Sequence, residues 1–485
     1  MPIDRNSAQY ITGAIYKPTQ TSAPGVWDLD DQANNIAKNL WPLPPQAVQR
    51  SLRFNSADSA YLNWTPSTSG NQYTFTTSMW VKRSTLGSTQ FLATHSEYCH
   101  IGFDADETLY GNLRGTGATN YFWISNAKFR DTSAWYHLVF AVDVANATST
   151  NRFRFYVNGV EQTFSSISYP PQNLTQFTTN ARYLGRYLTS TYYFNGYMAE
   201  VNFIDGQALT PASFGETDAQ TGVWIPKRYV GTYGTNGFRL PFSNNSSTTA
   251  LGYDASGMGN NWTPNNFSIT PGVGNDSLVD VPSLYGVDTG LGGEVLGNYC
   301  TGNWTNSNDP SGYLTDGGLR WAVDNTRVIT GTFAILEGKW YCEATPFAII
   351  TALEIGIITT SIPWSSTNFN SPGSYAAGYT YLSGGNKYNN NSSTSYGAAY
   401  TTNDIIGIAF DADARTITFY KNGVSQGIAF SSITAGSYFI CARATGIGNA
   451  GFIMNFGQRP FVYPAPTGHK ALCTTNLPAP AIGQT

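Results

Sequence analysis

Large side chains alternate with polar ones over short stretches of this chain, with the period of two that a half-buried strand requires. Phe153, Phe155 and Val157 alternate with Arg152, Arg154 and Tyr156, and Ile417 and Phe419 alternate with Thr416, Thr418 and Tyr420. Each run ends in Asn-Gly, at 158–159 and 422–423. Asn and Gly tolerate the positive φ that a two-residue type I′ turn demands. V-E-Q-T-F (160–164) and V-S-Q-G-I-A-F (424–430) supply return strands. An apolar strand ending in Asp precedes each hairpin, L-V-F-A-V-D (138–143) and I-G-I-A-F-D (406–411). One three-strand meander is thus written twice, around F-Y-V-N-G (155–159) and F-Y-K-N-G (419–423), and two related sandwich domains account for it.

The same patterning divides the chain. Residues 48–240 read as a first sandwich, with strands at S-L-R-F-N (51–55), Y-T-F-T-T-S-M-W-V-K (73–82) and W-Y-H-L-V-F-A-V-D (135–143). G-Y-M-A-E-V-N-F-I-D-G (196–206) closes it with alternating burial. Residues 241–295, rich in Gly, Asn, Ser and Pro, read as an irregular connector. Residues 296–462 form a second sandwich, with strands near 339–345, 347–358 and 404–411. The longest apolar stretch, F-A-I-I-T-A-L-E-I-G-I-I (347–358), is too short to span a bilayer and reads as buried strand. Residues 463–485 are expected to lie extended on the surface as a proline-rich tail.

Residues 1–47 differ from the rest. D-L-D-D-Q-A-N-N-I-A-K-N-L-W-P (28–42) predicts one short helix, capped by Asp28 or Asp30 and stopped by Pro42. Ile36 and Leu40 would share a face with Trp41 beside them, and P-L-P-P (42–45) stiffens an extended linker. So short a segment buries too little to fold by itself. It either packs on the first sandwich or docks on another molecule.

Composition agrees with an all-β chain rich in turns: aromatics are 14%, with 49 Gly and 24 Pro in 485 residues. Charged residues are 12%, against the usual ~25%, so Asn, Ser, Thr and Tyr must solvate the surface. The net charge is −4 and no basic patch occurs, which argues against a nucleic-acid binder. Cys99, Cys300, Cys342, Cys441 and Cys473 are odd in number and without close pairs, so neither a disulfide framework nor a zinc site is expected. Cys342 and Cys441 read as buried thiols. The polar start, M-P-I-D-R-N-S-A-Q-Y, lacks the apolar core of a signal peptide, so cytoplasmic synthesis without membrane insertion is expected.

Three resemblances are carried by phrases of the chain. S-A-W-Y-H-L-V-F-A-V-D with N-R-F-R-F-Y-V-N-G-V-E-Q resembles laminin-G-like, concanavalin A-type modules. G-K-W-Y-C-E-A (338–344), D-I-I-G-I-A-F-D (404–411), T-I-T-F-Y-K-N-G (416–423) and N-F-G-Q-R-P-F (455–461) resemble a SPRY domain. The expected fold is all-β: two tandem antiparallel β-sandwiches of the concanavalin A-like jelly-roll kind behind a short, partly helical N-terminal segment. G-V-W-D-L-D-D-Q (25–32), F-I-D-G-Q-A-L-T-P-A-S-F-G (203–215) and N-N-W-T-P-N-N-F (260–267) are similar to phrases of structural proteins of tailed phages, marine ones especially. That resemblance implies a virion surface protein made in the host cytoplasm, a capsid decoration, knob or short tail appendage. Trp27, Ile36, Leu40 and Trp41 would dock it on other virion proteins, as a homo-oligomer such as a trimer.

Candidate chemistry is sparse. Glucanases of the concanavalin A-like fold carry E-x-D-x-x-E on one strand; the nearest match, Glu216 and Asp218, has Thr221 in the third place, so catalysis is not expected. His137 sits within a strand in a structural role, and His95 and His100 beside Cys99 lack a second ligand cluster. Calcium is the one cofactor worth weighing: Asp104, Asp106 and Glu107 offer hard oxygen ligands, or else cap backbone amides in an Asp-rich turn. Aromatic faces interleaved with amides suit sugars, and Trp364, Phe369, Tyr375, Tyr379, Asn386 and Tyr388 form such a run. It implies contact with host-surface or environmental glycans; the bland reading packs these tyrosines on a sheet. The rival functions are a free-standing lectin and, behind it, a polysaccharide-degrading enzyme.

Overall fold

The computed structural model describes residues 48–477 except 97–98, 116–118, 177–178, 189–191, 220, 306–312, 325–327, 360–370 and 445–449. The expected N-terminal helix, with Trp27, Ile36, Leu40 and Trp41, lies outside the described residues, as do Trp364 and Phe369. The chain is all-β, two tandem β-sandwiches; among the described residues the only helical elements are short 3-10 turns. No helix among them is long and apolar enough to cross a membrane.

One sheet of each sandwich repeats the other's order. In the first, Val160–Glu161, Phe153–Val157, Trp135–Asp143, Thr74–Arg83, Gly196–Asp205 and Ser51–Phe54 lie side by side. In the second, Val424–Phe430, Thr416–Lys421, Ile406–Asp411, Lys339–Ala348, Ala450–Asn455 and Arg320–Val323 follow the same sequence of neighbours. The two meanders therefore hold the same place at the sheet edge.

Both Asn-Gly turns have positive φ, 48° and 82° at Asn158 and Gly159, 49° and 77° at Asn422 and Gly423. Each Asn also clamps the backbone at the start of its meander's first strand. Asn158 Oδ1 accepts from the His137 N–H at 2.8 Å, while its own N–H donates to the His137 carbonyl. Asn422 does the same with Ile405, again at 2.8 Å. The repeated Asn is there for its side chain as well as its φ.

The strand expected to show alternating burial does not: all ten residues of Gly196–Asp205 are buried. One face meets the sandwich core through Met198, Val201 and Phe203, and the other presents Tyr197 and Ala199 to the second sandwich. The alternation in sequence separates two buried environments, not core from water.

Three further expectations are corrected. Residues 347–358 are not one strand, since a turn divides Lys339–Ala348 from Leu353–Thr359. Residues 241–295 are not simply irregular: Thr263–Asn265 extends one sheet of the first sandwich and Ser277–Leu278 the other, and Trp262 is buried in that core. Residues 471–473 of the tail do not lie on the surface. Lys470–Ala471 pairs in parallel with Lys339–Ala348, and Leu472 and Cys473 are buried, because apolar side chains after the prolines cover the sheet.

The sandwiches meet across buried charge. Lys82 Nζ lies 2.8 Å from Asp280 Oδ2, both fully buried, and also donates to Asn298 Oδ1 and the Tyr299 carbonyl. Arg53 bridges Asp276 at 2.8 Å and Asp316 at 3.0 Å. Tyr197 donates to the Gly317 carbonyl at 2.7 Å. Charges so far from water persist only when paired and hydrogen-bonded.

Candidate functional site

At one edge of the second sandwich, Gly378–Leu382, Asn386–Asn389 and Ser392–Ser395 form a short meander. Alternation sends Tyr379 and Tyr381 into the core and Thr380 and Tyr388 to the other face. Tyr379 is therefore not available to a ligand: its ring lies 5.3 Å from Phe430, and its hydroxyl accepts from the Thr434 N–H. Tyr388 and Asn386, two residues apart, share the other face and are half-buried. Tyr388 lies against Gly373, where a Cβ would stand 2.3 Å from its ring, and its hydroxyl meets Ser374 Oγ at 3.1 Å. Asn389 Nδ2 donates to the carbonyls of Ala376 and Gly378, which holds the turn carrying Tyr375 against the meander. The structure thus groups Tyr375, Asn386 and Tyr388 beside the exposed, uncharged Asn390–Ser395 stretch and separates Tyr379 from them.

Beneath this face lies Glu354, fully buried. It accepts from the Gly373 N–H at 2.8 Å, from Thr380 Oγ1 at 2.7 Å and from Ser371 Oγ. Burial raises its pKa against the effect of those bonds. The carboxylate ties the Ser371–Ser374 turn to the sheet and is spent structurally.

The calcium candidates do not converge. Glu107 turns inward, with Oε2 2.6 Å from Arg83 and Oε1 accepting from the Gly87 N–H. Asp104 accepts from Thr89 Oγ1 and the Ala105 N–H, and Asp106 from both polar groups of Thr108. These are amide-capping turns, and no group of three possible ligands gathers among the described residues. Asp218 accepts from the Thr221 N–H and hydroxyl, and Glu216 pairs with Lys227 at 3.7 Å, so the glucanase-like carboxylates are likewise engaged.

A cleft missed by sequence reading lies between the sandwiches. It encloses 540 Å³ and is lined by Trp80, Trp135, Trp224, Val223, Leu284 and Ser283 among others. His137 stacks on Trp80 at 4.8 Å and on Trp224 at 6.0 Å. Trp224 Nε1 donates to His137 Nδ1 at 2.9 Å, so Nε2 carries the ring proton and meets Ser78 Oγ. Burial brings His137 down to about 3, keeping it neutral. Trp135 Nε1 donates to Asp280, whereas Trp80 Nε1 has no acceptor among the described residues. The three tryptophans are 55 and 89 residues apart (80 to 135, 135 to 224), with no local motif to join them.

Residues 55–213 match the family model of the concanavalin A-like lectin/glucanases superfamily, and residues 339–459 match that of the SPRY domain. The chain contains both. ATP-dependent RNA helicase Ddx1 of Drosophila melanogaster is 28% identical over 141 residues, 28% of this chain and 18% of that protein. Ran-binding protein 10 of Danio rerio is 37% identical over 70 residues, 14% of this chain and 11% of that protein. The chain thus spans less than a fifth of the length of these relatives. Among solved structures, the SPRY domain of human HERC1 is 19% identical with a TM-score of 0.24, covering 27% of this chain and 80% of that one. A putative carbohydrate binding protein from Bacteroides ovatus is 16% identical with a TM-score of 0.32, covering 46% and 59%.

Proposed function

We propose that this protein is a non-catalytic glycan-binding protein whose second sandwich takes a neutral saccharide on the face carrying Tyr375, Asn386 and Tyr388. The observation that carries the reading is the grouping of two half-buried tyrosines and an amide beside exposed, uncharged Asn and Ser side chains. A pyranose offers a flat apolar face to a ring and hydroxyls to amides, so such a face needs no charge. Glycan-array retention of the full chain tests it. Tyr388→Ala should lower retention at least tenfold while thermal stability changes little; retention equal to the parent's would sink the assignment.

A second reading places the protein on a phage particle, held by residues 1–47. The phrases at 25–32, 203–215 and 260–267 favour it. Co-sedimentation with particles lacking the protein tests it: the full chain should pellet and a chain starting at residue 48 should stay in solution. Equal behaviour of the two chains removes the attachment role. The jelly-roll form of the sandwiches and assembly as a trimer belong to this reading.

A further inference from the structure

Matched positions of the two meanders differ in charge. In the second sandwich, Asp411 ends the first meander strand and pairs at 3.0 Å with Lys339, which faces it from the neighbouring strand. Its counterpart in the first sandwich is Asp143, and the residue facing it is Thr74. Thr74 Oγ1 stands 3.5 Å from one oxygen of Asp143, and Asn146 Nδ2 stands 3.3 Å from the other. The carboxylate thus has two long contacts and no ion pair among the described residues. A second difference lies on the next strand. Arg154 faces Ala141, whereas Thr418 faces Ala409, the matching alanine. The first meander therefore lacks the cation beside its Asp and carries one across the strand pair instead.

Asp143 and Arg154 line one cavity of 160 Å³, together with Ala141, Asn146, Tyr156 and Leu209. The two charges are not joined. Arg154 Nη2 donates to Asn151 Oδ1 at 2.5 Å, and its Nε reaches Glu161 only at 4.0 Å, an exposed contact worth little. Tyr156 is 6% exposed, with its ring packed among Val139, Ile204 and Phe214. Its hydroxyl is not sealed from solvent and makes no hydrogen bond among the described residues. An occupant of the cavity can supply the partner that hydroxyl lacks.

That occupant must suit a carboxylate and a guanidinium at once. An anion alone would face Asp143, and a cation alone would face Arg154. The Asp143 N–H donates to the Arg152 carbonyl, so Arg154 is its diagonal neighbour, about 7–8 Å away on an antiparallel pair. An ammonium and a carboxylate borne on one carbon span such a gap with a hydrogen bond at each end. Bonds between two charged groups are also stronger than those a neutral hydroxyl would offer.

We propose that this cavity binds a small zwitterion, an α-amino acid. Its ammonium meets Asp143 and the Tyr156 hydroxyl, its carboxylate meets Arg154, and a short side chain lies against Ala141 and Leu209. This inference does not depend on the glycan face of the second sandwich.

Ligand-observed NMR on the full chain tests it, with L-alanine as the probe. Saturable binding is expected, at least tenfold tighter than that of alaninamide, which keeps only the ammonium, or of lactate, which keeps only the carboxylate. Thr74→Lys gives Asp143 the cation that Lys339 gives Asp411, and should weaken binding at least tenfold while the thermal midpoint holds. Tyr156→Phe should weaken it severalfold, and Tyr388→Ala on the other sandwich should leave it unchanged. Absence of saturation overturns the proposal, as does equal binding of alaninamide or lactate, or a Thr74→Lys chain that binds like the parent. Displacement of alanine by methyl glucoside overturns it too, because the cavity would then take neutral sugars.

Discussion

The two sandwiches hold their matching hairpins in the same place and cover them by different means. In the first, Gly159 lies under Trp224; a Cβ there would stand 2.8 Å from the indole. In the second, Gly423 lies under Tyr463; a Cβ there would stand 2.5 Å from the phenol ring. The aromatic is anchored from matching positions, four residues along from the strand residue that faces the meander's Asp (74 to 78, 339 to 343). Ser78 acts through neutral His137, whose Nδ1 accepts from Trp224. Glu343 acts directly, accepting the Val462 and Tyr463 N–H groups at 2.9 Å each. The shared pentapeptide is thus a shared mechanical need: Asn clamps the start of the meander's first strand and Gly leaves room for a ring. The covering segment was free to diverge, and with it the charge beneath the hairpin.

The junction gives the largest effect that could break this comparison. Asp280→Ala leaves Lys82 fully buried and unpaired, which costs about 3–5 kcal/mol. Urea denaturation should show both sandwiches losing stability together if the junction couples them; a smaller loss confined to one would separate them. Glu216→Ala, which breaks an exposed pair with Lys227, should cost about 0–1 kcal/mol by the same measurement.

Next come the clamps. Asn158→Ala and Asn422→Ala each remove a hydrogen bond and force alanine to positive φ, for about 1–3 kcal/mol apiece. Equal losses, read from denaturation midpoints, would sharpen the equivalence of the two hairpins. A neutral Asn422→Ala would break it.

The remaining contrast is in pH, and its sign differs between the sandwiches. Burial lowers His137 to about 3 and His100 to about 4, and His95 well below its ordinary 6.5. Their neutral forms stabilise the first sandwich fully above pH 6.5, and that contribution is lost as pH falls toward those values. In the second, burial raises Glu343 and Glu354 above 4.5. Their contribution is present below pH 4.5 and lost as pH rises through the raised values. Calorimetry between pH 7 and 4 should show the first sandwich weakening relative to the second, and a His137→Phe variant should flatten that dependence. A parallel response of the two would refute the contrast.

Much of this was legible in the chain. Period-two alternation and Asn-Gly turns are local, so both meanders could be read directly from residues 138–164 and 406–430. The burial of Cys342 and Cys441 followed from their apolar neighbours. Tyr375, Asn386 and Tyr388 shared a compositional signal, but the phase of one strand turned Tyr379 into the core, and composition carries no phase.

What the sequence determined by itself is therefore the all-β class, the doubled meander and the conformation of its turns, because these depend on neighbours within a few residues. Tertiary structure decided the rest. It buried both faces of Gly196–Asp205, drew Lys82 to Asp280 across 198 residues, and gathered three distant tryptophans into one cleft. Such contacts depend on how separate elements pack, and no local periodicity encodes which surfaces will meet.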